Sequence, residues 1–260
     1  MPKGDDLLKI RDEIDSIDDQ ILALINDRAK LAMKAGDAKD SSNKYKPARE
    51  SSILNRLTEL NKGPLKGNQI RNIFNEIISS CRSTESTFTI SFLGPEGTFS
   101  ETALEGQFGK SVEKIPEETI RSVFKSVVNK TSDYGIVPIE NSIEGSVNLT
   151  LDCLSEFDLK ICGEIEMEIH HNLLGHNTAL PRDGFEIHAH EQTLGQCREW
   201  LESYCPGVQL VSVSSNAQAA LDVTEDNKII AIAGELAAEK YGLDILSKNI
   251  EDYSNNTTRF

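Results

Sequence analysis

LLKIRDEIDSIDDQILALINDRAKLAMKAGDAK, residues 7–39, is the stretch that decides the fold. Apolar residues recur at Leu7, Ile10, Ile14, Ile17, Ile21, Leu24, Leu31, Ala35 and Ala38. This three-four spacing is sustained over about five heptads. It predicts one helix from about Asp5 to Asp40, about 50 Å long at 1.5 Å per residue. Two short partners cannot cover such a helix, so the pattern predicts a dimer in which long helices pack together. A second helix is expected over 48–61, because Gly63-Pro64 stops it: proline cannot continue a helix and glycine tolerates the cap. A third is expected over 68–85, with Ile70, Ile73, Phe74, Ile77, Ile78 and Cys81 on one face.

Beyond the polar segment STESTFT, residues 83–89, the grammar changes. Strands are expected at Thr89–Leu93, Tyr134–Pro138, Lys160–Leu174, Phe185–His188, Val208–Val213 and Lys228–Ala233, with helices between them. Alternation of this kind predicts mostly parallel sheets, arranged as two small lobes around a cleft. The fold class is therefore α followed by α/β: a helical domain over 1–86 and a two-lobed domain over 90–260.

Composition narrows the function. The 260 residues are 38% hydrophobic and 27% charged, as in globular domains. A formal net charge of −15 repels phosphate backbones, which argues against nucleic acid as a partner. No apolar run reaches the roughly 20 residues of a membrane span. MPKGDDLLKIRDEID lacks the apolar core of a signal peptide, so a cytoplasmic protein is expected. The five cysteines show no C-x2-C spacing and read as reduced and mostly buried. The histidines at 170, 171, 176, 188 and 190 alternate as on strand faces, so no metal site is expected.

Against this acidic background, a cation in an apolar seam stands out. The heptad seam of Ile14, Ile21 and Ala35 carries Arg28. A buried guanidinium is costly without a partner, so Arg28 either snorkels, pairs with a carboxylate, or meets an anion inside the bundle. Lys39 shares its face about 16 Å further along the axis. Arg11 is about 25 Å from Arg28 on the same helix, too far for one small ligand, and would have to come from an antiparallel second protomer. Glu50 after Pro47 and Arg49 is, by itself, ordinary compensation of the helix dipole.

Residues 7–85 resemble the all-helical chorismate mutases. The matching features are Leu7-Leu8-x-x-Arg11, Ile17-Asp18, Arg28 before Ala and Leu, Lys39, Pro47-x-Arg49-Glu50 and Ile73-Phe74-x-Glu76-Ile77-Ile78-Ser79. The resemblance implies that Arg28 holds one carboxylate of chorismate and Arg11 of a second protomer holds the other. It implies that Lys39 donates to the ether oxygen, Glu50 binds the ring hydroxyl and Arg49 supports the site. Lys46, Cys81 and Glu85 also match site positions. The family often has Ser at position 81 and Gln at position 85, and an acidic residue can stand at 46. The rearrangement is pericyclic and needs no nucleophile, metal or cofactor. It needs a held conformer and positive donors where the ether oxygen gains charge.

In the second piece, GPEGTFS (94–100) follows a strand and opens a helix whose N-terminus can hold an anion. PIENS (138–142) sets three polar residues at a strand end, where open α/β sheets bind ligands. SSN (214–216) reads as a plain N-cap. Together with His190-x-Gln192, Gln196-Cys197, Tyr241-Gly242-Leu243-x-Ile245-Leu246 and Thr257-Thr258-Arg259-Phe260, these segments make residues 90–260 resemble prephenate dehydratase. That family has two lobes like a type 2 periplasmic binding protein. The resemblance implies Thr258 as the catalytic residue and Thr98, Ser100, Glu140, Asn141, Ser142, Gln196 and Arg259 as substrate-binding candidates. Position 189 is often Ser in the family and is Ala here.

The implied substrates are chorismate and prephenate, and the implied pathway is phenylalanine biosynthesis. Family members continue past Thr-Arg-Phe with a closing strand and an ACT domain that senses phenylalanine. Without them, phenylalanine is expected not to inhibit, and Thr258 is expected on a frayed terminus with weak dehydratase activity. Two rival readings remain at this point: a mutase beside an inactive dehydratase, and a non-catalytic dimeric ligand sensor. Glu85 can donate to the ether oxygen only when protonated, so mutase activity at saturating chorismate should fall from acid toward alkaline pH. Equal rates across that range would remove Glu85 from the role.

Overall fold

The computed structural model describes residues 4–37, 47–84, 88–176 and 184–260. The chain divides into two compact units. One takes the residues up to Phe88 together with Phe108–Val112, and the other takes Thr89–Gln107 and Glu113–Phe260.

The first unit holds α1 (Gly4–Asp37), α2 (Pro47–Leu60) and α3 (Gly67–Ser83). Both α1 and α2 pack on α3, the most amphipathic of the three, which buries Ile78, Ser79, Cys81 and Arg82. The Gln69 side chain closes the start of α3 by accepting from the Lys66 N–H at 2.8 Å. Gly109 crosses α3 closely with φ +73°, and any β-carbon there would strike Ser79. On α1, by contrast, the apolar residues of the heptad pattern stand open, from Leu7 at 47% exposure to Leu24 at 69%.

Among the described residues, the second unit contains three sheets. Strands β1 (Thr89–Leu93), β2 (Glu113–Glu117) and β3 (Tyr134–Ile136) form a parallel sheet in the order β2-β1-β3. With it go α4 (Phe99–Phe108) and α5 (Ile120–Val128). Next come β4 (Glu140–Asn141), β5 (Gly145–Ser146), α6 (Asn148–Glu156) and β6 (Glu166–Glu168). The chain then builds β7 (Asn172–Gly175), β8 (Glu186–His190), α7 (Glu191–Gln196), α8 (Arg198–Tyr204), β9 (Gln209–Val213), α9 (Asn216–Glu225), β10 (Ile229–Ala233), α10 (Glu235–Tyr241) and β11 (Asp244–Ser247). The last strand, β12, is Thr257–Arg259.

The five-stranded sheet runs β11-β7-β10-β8-β9, and the four-stranded sheet runs β5-β4-β12-β6. In the five-stranded sheet β8 lies parallel to β9 and β10, while β7 is antiparallel to β10 and β11. The four-stranded sheet is wholly antiparallel. The expectation of mostly parallel sheets therefore holds only for β1–β3 and β8–β10. The single strand expected over 160–174 is in fact two strands in different sheets. β6 joins β12 and β7 joins β10, and residues 169–171 carry the chain across. Alternation runs from Ile165 to Ile169 and stops at His170-His171, where the chain leaves one sheet for the other; β7 is buried on both faces.

The expectation of a frayed terminus is overturned. β12 is paired on both edges, with β4 and with β6. Phe260 and Ile165 exchange both backbone hydrogen bonds, at 2.8 and 3.0 Å. Thr258 is buried.

One buried charge shapes the turn ahead of α4. The Glu101 side chain is 1% exposed and pairs with Lys114 at 2.7 Å and with Lys240 at 3.0 Å. Its Oε2 also accepts the Gly97 N–H at 2.7 Å, fixing the glycine turn from inside. Burial alone pushes the Glu101 carboxyl upward, but the bonds from Lys114, the Gly97 N–H and Lys240 outweigh it and hold the pKa below the ordinary carboxylate value. Glu101→Gln should cost about 2–3 kcal/mol at neutral pH, less than a fully broken buried pair because Lys114 keeps Glu105 and Lys240 keeps Glu96. A carboxylate with a depressed folded-state pKa stabilises above its unfolded value, and the effect is lost as pH falls through the folded value. Urea titrations should therefore show the gap between wild type and variant closing in acid.

Candidate functional site

In the second unit the polar candidates gather where β4 meets β12. Thr258 stands opposite Asn141 in the register, and Arg259 opposite Glu140. The Asn141 amide is oriented by the backbone, since its Oδ1 accepts the N–H groups of Ile143 at 2.9 Å and Glu144 at 3.0 Å. Backbone N–H groups can only donate, so the Asn141 Nδ2 must face the other way. It donates to Thr258 Oγ1 at 2.9 Å, Asn256 Oδ1 at 2.9 Å and the Thr257 carbonyl at 3.2 Å. Asn256, buried, passes its own Nδ2–H to Gln196 Oε1 at 3.0 Å. Gln196 Nε2 points to Glu144 at 3.4 Å. The Ser142 hydroxyl accepts the Thr257 N–H at 2.9 Å and donates to the Asn255 carbonyl at 3.1 Å, clamping the approach to β12.

The other candidates are placed differently. Successive side chains of a strand point to opposite faces, so Arg259 and Glu140 lie across the sheet from Thr258. There Arg259 meets Glu164 at 3.1 Å and Glu140 at 3.5 Å, half-exposed. Thr98 caps the turn: its hydroxyl donates to the Leu93 carbonyl at 3.1 Å and accepts the Glu101 N–H at 3.4 Å. Ser100 is buried at the start of α4.

Two members of this cluster were not singled out from the sequence. Asn256 directly precedes the quoted C-terminal motif, and its burial cannot be read from the sequence. His171 was read as an ordinary strand histidine. It is instead in the crossing before β7, 2% exposed, with Nε2 3.0 Å from Gln196 Oε1. Burial lowers its pKa, an effect only partly offset by Gln196.

In the first unit Arg28 is half-buried on α1, while Arg11 and Arg49 are exposed. Lys39, Lys46 and Glu85 lie outside the described residues. Cys81 is buried on α3. Glu50 is engaged: both of its carboxylate oxygens accept from Arg82 Nη1, at 2.6 and 2.8 Å. Arg82 Nη2 donates to the Phe108 carbonyl at 2.6 Å, and its guanidinium lies over the rings of Phe88 and Phe108 at 5.4 and 5.8 Å. The sequence does carry a signal for Arg82. Phe74, Ile78 and Arg82 are spaced by four, so the arginine falls on the buried face, as Arg28 falls on the seam of α1.

Residues 90–260 match the prephenate dehydratase family, and residues 10–86 match chorismate mutase type II. The bifunctional chorismate mutase/prephenate dehydratase of Stutzerimonas stutzeri is 44% identical over 100% of this chain and 73% of its own length. The protein of the same name from Aquifex aeolicus is 42% identical over 98% of this chain and 72% of its own. Among solved structures, a prephenate dehydratase from Arthrobacter aurescens in complex with L-Phe is similar with a TM-score of 0.59 and 33% identity. That similarity covers 66% of this chain and 58% of that one, less than two thirds of the solved protein. The second unit thus has the type 2 periplasmic-binding-protein-like fold of the dehydratases.

Asn141→Asp tests whether the amide is the keystone of the cluster. Its second oxygen would face the Asn256 Oδ1 and the Thr257 carbonyl with no hydrogen to give. The expected cost is about 2–3 kcal/mol, seen as a lower urea midpoint. An unchanged midpoint would show that the network contributes nothing to stability.

Proposed function

The chain belongs to the bifunctional chorismate mutase/prephenate dehydratase family, and we propose from that premise that it performs both reactions. Residues 1–86 form the mutase, an isomerase that rearranges chorismate to prephenate. Residues 90–260 form the dehydratase, a lyase that turns prephenate into phenylpyruvate with loss of water and carbon dioxide. Phenylpyruvate as product supports a role in phenylalanine biosynthesis, and this reading takes the enzyme to be cytoplasmic.

The observation that carries the dehydratase assignment is the 2.9 Å bond from Asn141 Nδ2 to Thr258 Oγ1. The threonine oxygen accepts there. Among the described residues no acceptor stands within bonding distance of its hydrogen, which is left to donate. The ring hydroxyl of prephenate must leave as water, and a free threonine is too weak an acid to protonate it alone. Thr258 therefore acts as an oriented donor or relay, and aromatisation of the ring drives the step. The ring carboxylate leaves as carbon dioxide more readily when poorly solvated. Gln196, Ser142, Thr98 and Ser100 serve binding and shape, while Arg259 and Glu140 lie on the opposite face of the sheet and pair there across β4 and β12.

For the mutase, Arg28 receives one carboxylate and Arg11 of the partner subunit the other. Lys39 and Glu85 donate to the ether oxygen. Glu50, held in one orientation by Arg82, accepts from the ring hydroxyl, since each carboxylate oxygen has a second lone pair free. Arg49, Lys46 and Cys81 complete the lining. The uncovered apolar length of α1 supports a homodimer, because that face has no other cover among the described residues.

Incubation with chorismate should show its loss and the appearance of phenylpyruvate, in a preparation that sediments as a dimer. Thr258→Ala should lose phenylpyruvate formation by about a hundredfold or more and still consume chorismate. Full dehydratase activity in that variant would dismiss Thr258. Chorismate loss without phenylpyruvate in the unmodified chain would leave a mutase alone, and no loss would leave a binding protein. A monomer would remove the shared mutase site.

A further inference from the structure

The bonds that run from Asn141 have a single permitted direction. Two backbone N–H groups, of Ile143 and Glu144, fix the Asn141 oxygen. Asn141 Nδ2 must then donate to Asn256 Oδ1, which leaves Asn256 Nδ2 to donate to Gln196 Oε1. The Gln196 amide cannot be turned around without setting its NH2 against the Asn256 NH2, and its own NH2 already faces the Glu144 carboxylate. Gln196 Oε1 is thus an acceptor only, and 3.0 Å from it lies the Nε2 of His171.

We infer that His171 is a positioning residue of the dehydratase: its Nε2 carries the ring proton and donates to Gln196 Oε1, locking the Gln196 amide at the far end of the chain of bonds that reaches Thr258. The opposite tautomer would set two lone pairs against each other across that 3.0 Å gap. It would also place an N–H at Nδ1, a buried atom that has no hydrogen-bond partner among the described residues. The surroundings leave the ring little choice. The His171 backbone N–H is held by Glu251 Oε2 at 2.9 Å, and that carboxylate's other oxygen is occupied by His170 at 2.7 Å. The Phe99 ring meets the imidazole edge-on at 5.6 Å between centroids. With two donors on its oxygen, Gln196 presents one amide orientation to the substrate. With one donor removed, its oxygen is held only by Asn256.

This rests on Thr258 and Gln196 serving the dehydratase reaction, and the test separates the two claims. In the full chain labelled with 15N, the ring nitrogens of His171 at neutral pH should read as protonated at Nε2 and bare at Nδ1. A proton on Nδ1 overturns the inference whatever the kinetics. With prephenate as substrate, His171→Phe keeps a ring but removes the donor, and should lower kcat/KM about tenfold or more, the worth of one buried hydrogen bond. His171→Gln puts an amide N–H where Nε2 stood and should restore most of that loss. His171→Asn, whose amide falls near the Nδ1 position, should not. Wild-type turnover in His171→Phe, or glutamine no better than phenylalanine, overturns the positioning role while Thr258→Ala remains inactive. Full activity in Thr258→Ala would overturn the earlier assignment of Thr258 and leave the tautomer result standing. The tautomer and the glutamine variant decide the matter if His171→Phe does not fold.

Discussion

The second unit depends on three residues at the far end of the chain lying between two strands made much earlier. β12 is an interior strand of its sheet, bonded to β4 on one side and β6 on the other. Remove it and neither neighbour has a partner along that edge, so the sheet separates into a two-stranded ribbon and an orphan. The same insertion brings Thr258 to Asn141 and brings Asn256 within reach of Gln196. Architecture and chemistry are therefore set by one pairing. The backbone N–H groups after β4 then orient the amides, because a backbone donor cannot be reversed as a side-chain amide can.

The helical unit is organised by a different constraint, the cost of holding cations among apolar side chains. Arg82 meets it internally, with a carboxylate, a carbonyl and two aromatic faces. Arg28 sits half-buried on a helix whose apolar face is open over most of its length. One unit thus contains both a buried guanidinium paired with a carboxylate and a second one on a surface that calls for cover. The first steadies the Glu50 side chain, and the second suits an anion brought from outside.

Much of this was legible in the sequence. The three-four spacing located α1, α2 and α3 within a few residues, because a helix writes its buried face directly into the order of side chains. The strands β1, β8, β9 and β10 were equally plain, each a short apolar or alternating run between turn residues. What escaped were the short strands β2, β4, β5, β11 and β12, whose two to five residues are too few to show a period. The crossing at residues 169–171 escaped because a break in alternation after Ile169, followed by a fully buried run, also fits one long strand that becomes buried on both faces. Of the dehydratase candidates, Thr258, Asn141, Ser142 and Gln196 lie together around one end of β12. Arg259 and Glu140 were named beside them, yet the pleat carries them to the other face. His171 and Arg82 are polar residues whose roles come from burial, which a single sequence discloses only where a charge interrupts a clear seam.

Because β12 pairs Thr258 with Asn141 across 117 residues, the order of synthesis matters. A ribosome delivers the helical unit first, and those helices can find each other while the rest is still being translated. The sheet containing β4 and β6 has to wait, with its central gap open, until β12 emerges. Closing so large a loop is entropically slow compared with local helix formation. During that wait β4 and β6 expose unpaired backbone edges, an invitation to mispairing on a crowded polysome. The nascent chain would thus be at its most vulnerable just before β12 is delivered.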